Sequence, residues 1–199
     1  MIIVALAVSA VAPAQANDWR VDDADRVVAI ADIHGAYDAM VATLRNVGIL
    51  DRDLAWIGGT SRLVVAGDIL DRGPRSRDAM DLLMRLEGDA QAAGGYVHVL
   101  IGNHESMNMT GDLRYVSKAE YAAFAPDETA EQRERWFQAW LRRQPSPRNT
   151  PELRKRFDGK FPSGFFALRA AFGPDGQYGA WLLDKPAIAV INGTAFVHG

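Results

Sequence analysis

The chain has 199 residues, no cysteine and a formal net charge of −3, with 48% hydrophobic and 24% charged residues. Such a composition suits one globular domain with a single core. The missing cysteines exclude disulfide staples, iron–sulfur centres and any cysteine nucleophile, and a mildly acidic chain without a nucleic-acid motif gives no support to DNA or RNA binding.

Met1 to Pro13 are apolar or small, and Ala14-Gln15-Ala16 has the small-x-small form of a signal-peptidase site. Residues 1–16 are therefore expected to be a signal peptide directing the chain to a bacterial periplasm or to secretion, although no Lys or Arg precedes Arg20. The apolar stretch is too short for stable membrane insertion. One domain is expected over residues 17–199. Val27-Val28-Ala29-Ile30 reads as a buried strand and leads into Asp32-Ile33-His34-Gly35. A helical pattern follows, with Met40, Val41, Leu44 and Val47 on one face and Gly48 as its stop. Leu63-Val64-Val65-Ala66 is the next strand, leading into Gly67-Asp68-Ile69-Leu70-Asp71-Arg72-Gly73. A second helix around Met80, Leu83 and Met84 is closed by Gly94-Gly95. A third strand, Val97 to Ile101, leads into Gly102-Asn103-His104-Glu105. Strand–helix repeats of this kind predict an α/β fold with a parallel sheet whose strand ends open on one edge, so the three polar clusters converge there. His98 lies inside an apolar strand and is read as a core histidine, outside the site.

From about residue 112 to 160 the pattern is helical, an insertion broken by a loop at Gln144 to Pro151. Its charge is distinctive. Residues 1–132 carry 11 basic against 20 acidic side chains, whereas 133–160 carry 9 against 3, together with Trp136, Phe137 and Trp140. Two readings stand: a solvated face of an ordinary insertion, or a lid that recognises an acidic substrate. Asp112 and Arg114 either reach the site or form a local ion pair, Met107 and Met109 are packing residues, and Glu105 is a structural partner for a nearby cation or amide.

Asp, His and Asn offer oxygen and imidazole donors, which suit Mn, Fe or Zn. A pair of ions about 3.5–4 Å apart needs a bridging ligand, a role open to a carboxylate and closed to an imidazole. Asp68 is the candidate bridge. Asp32 and His34 turn toward one ion and Asn103 toward the other, with a hydroxide between the ions as nucleophile.

These strings resemble the calcineurin-like metallophosphoesterases, specifically the phosphoprotein phosphatase superfamily with its Asp-x-His-Gly, Gly-Asp-x-x-Asp-Arg-Gly and Gly-Asn-His-Glu signatures. The run Gly102 to Val116, with its Met-Asn and Gly-Asp-x-Arg-Tyr-Val elements, is similar to the Shewanella-like phosphatases, as are Phe172 to Gly176, Trp181-Leu182 and Phe196 to Gly199. The resemblance implies two β-sheets flanked by helices. It implies Asp32, His34 and Asp68 at a first metal and Asp68, Asn103 and His198 at a second, with manganese the expected pair and iron or zinc the alternatives. Arg72 would hold the phosphate oxygens through its planar fork. His104 would protonate the leaving oxygen, oriented by Asp71. The expected activity is hydrolysis of phosphomonoesters on a phosphorylated protein or peptide, or of a small phosphoester. A phosphodiesterase or dinucleotide polyphosphatase of the same fold and an inactive metal- or phosphate-binding remnant are the alternatives. The family's pattern continues past the Val-His-Gly string with a second Gly, further strands and another ligand His. The chain is accordingly expected to be a fragment with its second sheet incomplete.

Overall fold

The computed structural model describes residues 19–146 and 148–199. The leader expected over residues 1–16 lies outside them, and no described helix is long and apolar enough to cross a membrane.

Three strands, β2 (Val27–Ile30), β3 (Arg62–Val65) and β4 (Tyr96–Val99), form a parallel sheet in that order; β1 (Arg20–Val21) belongs to a second sheet. The central strand explains the layering. Leu63 and Val65 point to one face, where they meet Met40 and Leu44 of helix α1 (Tyr37–Asn46) and Met80, Leu83 and Leu86 of α2 (Ser76–Ala92). Val64 points to the other face and packs with Val21 of β1 and Ala189 and Ile191 of β5 (Ile188–Ile191). Because β3 is covered on both sides, it reads as an unbroken apolar run instead of an alternating one. The second sheet runs β1-β5-β6, with β5 parallel to β1 and antiparallel to β6 (Thr194–Val197). The shared cluster brings the two sheets face to face, with α1 and α2 outside, as expected for a metallophosphoesterase sandwich.

Gly48 and Gly94, both at positive φ, stop α1 and α2 where the pattern placed them. Five more α-helices and a short 3₁₀ turn separate α3 (Asn103–Thr110) from β5: α4 (Lys118–Phe124), the turn Ala125–Asp127, α5 (Ala130–Leu141), α6 (Pro151–Lys160), α7 (Phe165–Ala171) and α8 (Gln177–Leu183). The helical stretch therefore runs on beyond residue 160. Leu168, Phe172, Tyr178 and Leu182 join the main core, whereas Phe137, Leu141, Phe157 and Phe166 form a separate aromatic cluster. Among the described helices α5, α6 and one face of α7 thus share a core of their own.

Candidate metal centre

The C-terminal ends of β2, β3 and β4 deliver three loops to one edge, and the end of β6 delivers His198. The loops are contorted. Asp32, His34, Asp68, Asp71 and Arg72 all have φ between 46° and 70°, a region that costs a non-glycine residue about 1 kcal/mol or more. Cross-loop hydrogen bonds hold them there: His34 N donates to the Asp68 carbonyl at 2.9 Å, and Gly73 N to the His34 carbonyl at 2.9 Å. A Cβ on Gly73 would lie 2.2 Å from the His34 carbonyl oxygen, and one on Gly102 would lie 2.4 Å from Asp68 Oδ1. Those two glycines permit the loops to touch.

Glu105, fully buried, ties the second and third loops together. Its Oε2 accepts the amides of Asp68 at 2.8 Å and Gly102 at 2.9 Å, and its Oε1 those of Ile69 at 2.8 Å and Leu70 at 3.3 Å. Burial raises its carboxyl above the ordinary glutamate value while the amide bonds pull the other way. The amide partner anticipated for this residue is therefore four backbone amides.

The candidate ligands converge. His34 Nδ1 donates to the Leu70 carbonyl at 2.9 Å and His198 Nδ1 to the Ala66 carbonyl at 2.9 Å. Each imidazole is thus held with Nε2 facing the acidic cluster, the arrangement by which second-layer carbonyls orient metal ligands. His34 Nε2 lies 3.6 Å from Asp68 Oδ2 and 4.0 Å from Asp32 Oδ1. His198 Nε2 lies 3.3 Å from Asp68 Oδ1 and 3.0 Å from Asn103 Oδ1. With Nδ1–H committed, each Nε2 is turned into the space between these oxygens. Hard oxygen and imidazole donors around that space fit a divalent cation.

The donors form two overlapping triads, His34–Asp68–His104 and Asp32–Asp68–His198, each within 4.8 Å. Asp68 belongs to both, and its two oxygens face different sides. The grouping differs from the expected one in two respects: Asp32 falls with His198, and His104 joins His34. Asp32 is also within reach of His34, so it can serve either side.

His104 differs from the other two histidines in what holds it. Its Nδ1 lies 2.6 Å from Asp71 Oδ2, and both side chains are almost fully buried. Asp71 Oδ1 accepts Asn108 Nδ2 at 3.0 Å, and Asn108 also donates to the His104 carbonyl at 3.1 Å. A carboxylate behind an imidazole stabilises its charged form, whereas a carbonyl mainly sets its tautomer. His104 Nε2 faces Arg72 Nη2 at 3.4 Å and Asp68 Oδ2 at 3.8 Å. The half-exposed Tyr115 ring, 5.1 Å from the His104 ring, lines the mouth.

Two supports escaped the sequence reading. Asn108 lies in the Met-Asn element, which by itself assigns it no role. Glu120 accepts Asp71 N at 3.0 Å, the Ser76 hydroxyl and Ser117 N at 2.8 Å. Ser117-x-x-Glu120 is a readable capping box at the start of α4, and it signalled the helix start without signalling the bond to Asp71. Burial raises the Glu120 carboxyl above its ordinary value. Asp112 and Arg114 form the local pair, with bonds of 2.9 and 2.7 Å. Met109 packs on the core, while Met107 Sδ lies 3.9 Å from Asn103 Nδ2. His98 is buried on β4, its ring 4.4 Å from that of Tyr96.

The calcineurin-like phosphoesterase family matches residues 25–170, the stretch that carries all three loops. The chain belongs to that family. Shewanella-like protein phosphatase 2 of Arabidopsis thaliana is 32% identical over 185 residues, 90% of this chain and 47% of that protein. The crystal structure of a cold-active protein-tyrosine phosphatase of a psychrophile Shewanella species superposes with a TM-score of 0.63 at 29% identity, covering 90% of this chain and 43% of that one. The asymmetrical bis(5'-nucleosyl)-tetraphosphatase PrpE of Bacillus velezensis is 40% identical over 76 residues, 38% of this chain and 28% of that protein. The chain spans somewhat under half the length of the Shewanella-like relatives. The metallophosphoesterases are metal-dependent phosphoester hydrolases, and the two donor triads are where this member could hold metal.

Proposed function

We propose that this chain carries a two-metal phosphomonoester hydrolase site acting on phosphorylated protein or peptide. The observation that supports it most is the position of Asp68, whose oxygens face His34 on one side and His198 with Asn103 on the other. Asp32, His34 and Asp68 would hold one ion and Asp68, Asn103 and His198 the second, with manganese the favoured metal and iron or zinc the alternatives. Bound ions would supply a nucleophile at neutral pH and positive charge against the phosphate.

The remaining work falls to Arg72, His104 and Asp71. The Arg72 fork binds phosphate oxygens, and its Nη2 is close enough to His104 Nε2 that a phosphate it holds meets that nitrogen. His104 then protonates the departing oxygen from Nε2 while Asp71, on Nδ1, stabilises the imidazolium. Fixed charge and position suffice for phosphoryl transfer.

Monoesters on protein are favoured over dinucleotides because the Shewanella-like match takes in 90% of the chain, helical region included, and the tetraphosphatase match only 38%. The leader-like residues 1–16 support export, which N-terminal sequencing of the mature protein would check through cleavage after Ala16. The first test is metal content and turnover of p-nitrophenyl phosphate with manganese, beside bis-p-nitrophenyl phosphate and phosphopeptides. Two ions per chain and a preference for monoesters are expected, and Asp68→Asn should lose both metal and turnover. Equal turnover after complete chelation would overturn the reading.

A further inference from the structure

Helices α5, α6 and α7 enclose a groove of about 560 Å³ that lies outside the metal centre. Trp136, Trp140 and Phe161 contribute aromatic walls, and Arg135, Arg143 and Arg169 contribute charge; among the described residues no carboxylate lines it. Two other arginines of this region serve the fold. Arg133 pairs with Glu128 and Asp158, and Arg154 with Glu134. Among the described residues Arg143 and Arg169 have no ion-pair partner, and Arg135 has only an exposed 3.9 Å approach to Glu131. The groove is basic on a chain whose first 132 residues carry nearly twice as many acidic as basic side chains. An acidic ligand is therefore repelled elsewhere and attracted here. Trp136, stacked on Phe166 at 5.4 Å, is still 51% exposed and presents a flat apolar surface beside the guanidiniums.

The groove connects to the metal centre through α3. Arg169 Nη1 donates to the Asn108 carbonyl at 2.7 Å. Asn108 in turn holds Asp71, the partner of His104. From Asn103 to that carbonyl is five helical residues, roughly 8 Å along the axis.

We propose that this groove is a docking site for an acidic peptide segment bearing an aromatic residue, the flank of a phosphoprotein substrate. The substrate part of the proposal rests on the phosphatase reading; the peptide-binding part does not. The aromatic side chain stacks on Trp136, and the acidic residues pair with Arg135 and Arg143.

The test uses a non-phosphorylated peptide rich in Glu and containing one Tyr, a Lys-for-Glu version and a neutral version, titrated against tryptophan fluorescence and by calorimetry. Saturable, salt-sensitive binding of the acidic peptide alone is expected, weakened about tenfold by Arg135→Glu together with Arg143→Glu. In the same double variant, kcat/KM should fall about tenfold for an acidic phosphopeptide, through KM, and stay unchanged for p-nitrophenyl phosphate. Equal binding of all three peptides, or no effect of the double variant, overturns the proposal. So does self-association of the chain that the variant abolishes, since the groove would then seat a second copy. If no phosphoester is hydrolysed by either form, the phosphatase reading fails while the titration still decides the groove.

Discussion

Replacing Asp71 with Asn tests the assignment of His104 as the acid more sharply than removing His104. Asn108 Nδ2 donates to Asp71 Oδ1 and to the His104 carbonyl, so its own orientation is locked. An asparagine at position 71 must therefore keep its oxygen toward Asn108 and turn its amide group toward His104 Nδ1. There a donor replaces an acceptor. The neutral imidazole can answer by carrying its proton on Nε2, but the imidazolium, with protons on both nitrogens, then has two donors opposed at the present 2.6 Å spacing. A charge-assisted bond contributes about 1.5–3 kcal/mol, and the donor clash adds to the loss. The expected fall in kcat is about 10²–10⁴-fold, or about 3–5 kcal/mol at 1.36 kcal/mol per decade. The assay compares phenyl phosphate with p-nitrophenyl phosphate under saturating manganese, with metal content measured in parallel. The deficit should be large for phenyl phosphate, whose leaving oxygen needs a proton, and smaller for p-nitrophenyl phosphate, whose leaving group does not. Metal content should stay near normal, because Asp71 belongs to neither donor triad. Equal deficits on both substrates, or loss of metal in step with loss of rate, would show that His104 acts as a ligand.

Glu105→Gln leaves two of the four amides facing an NH₂ group whichever way the new side chain turns, and should cost roughly 2–4 kcal/mol in urea unfolding, relief of carboxylate desolvation offsetting part of the loss. Gly73→Ala places a methyl group against the His34 carbonyl, so it should lower metal affinity at least tenfold by displacing His34, as calorimetric titration with manganese would show. Glu120 is pushed above its ordinary value of 4.5 by burial. Its folded form holds the proton longer than the unfolded chain does, so its contribution is present below 4.5 and is lost as pH rises through the raised value. Glu120→Gln removes that titration. The stability difference between parent and variant, followed by urea midpoints between pH 4.5 and 7 in chelator, should therefore shift against the parent as pH rises, and a flat difference would contradict the assignment.

The strands and the first two helices were legible because their signals are local: apolar runs for β2, β3 and β4, and a one-sided apolar stripe with a glycine stop for α1 and α2. The candidate site was legible for another reason. Its residues sit at the ends of those strands, so topology alone brings Asp32, Asp68 and Asn103 together. What the sequence hid depends on contacts between distant residues. β1 is two residues long and acquires its identity only by pairing with β5, some 170 positions later. The continuation of helix to Leu183 was missed because α7 and α8 are seven residues each, too short to display a period. Asn108 and Glu120 read as an ordinary helix residue and a cap, and their bonds to Asp71 cross 37 and 49 residues. The charge of the insertion was visible, but only the folded arrangement separates arginines used internally, such as Arg133, from those that face the groove.

The candidate ligands are positioned by other groups of the protein. His34 and His198 are held by backbone carbonyls, Asp68 accepts the His104 amide at 3.1 Å, and the strained loop that carries Asp68 is fastened by Glu105. A site prepared in this way spends its strain energy during folding and not during metal binding. Metal removal should then abolish turnover without unfolding the domain. The far-ultraviolet circular dichroism of chelated protein should match that of the loaded form, with the urea midpoint lowered only by the mass-action amount that metal affinity dictates. Activity should return on the time scale of mixing when manganese is restored. A lag of seconds or longer, or loss of helical signal on chelation, would mean that the loops assemble around the ions, and that the bonds from Glu105 and the two carbonyls are insufficient to hold the ligands in place.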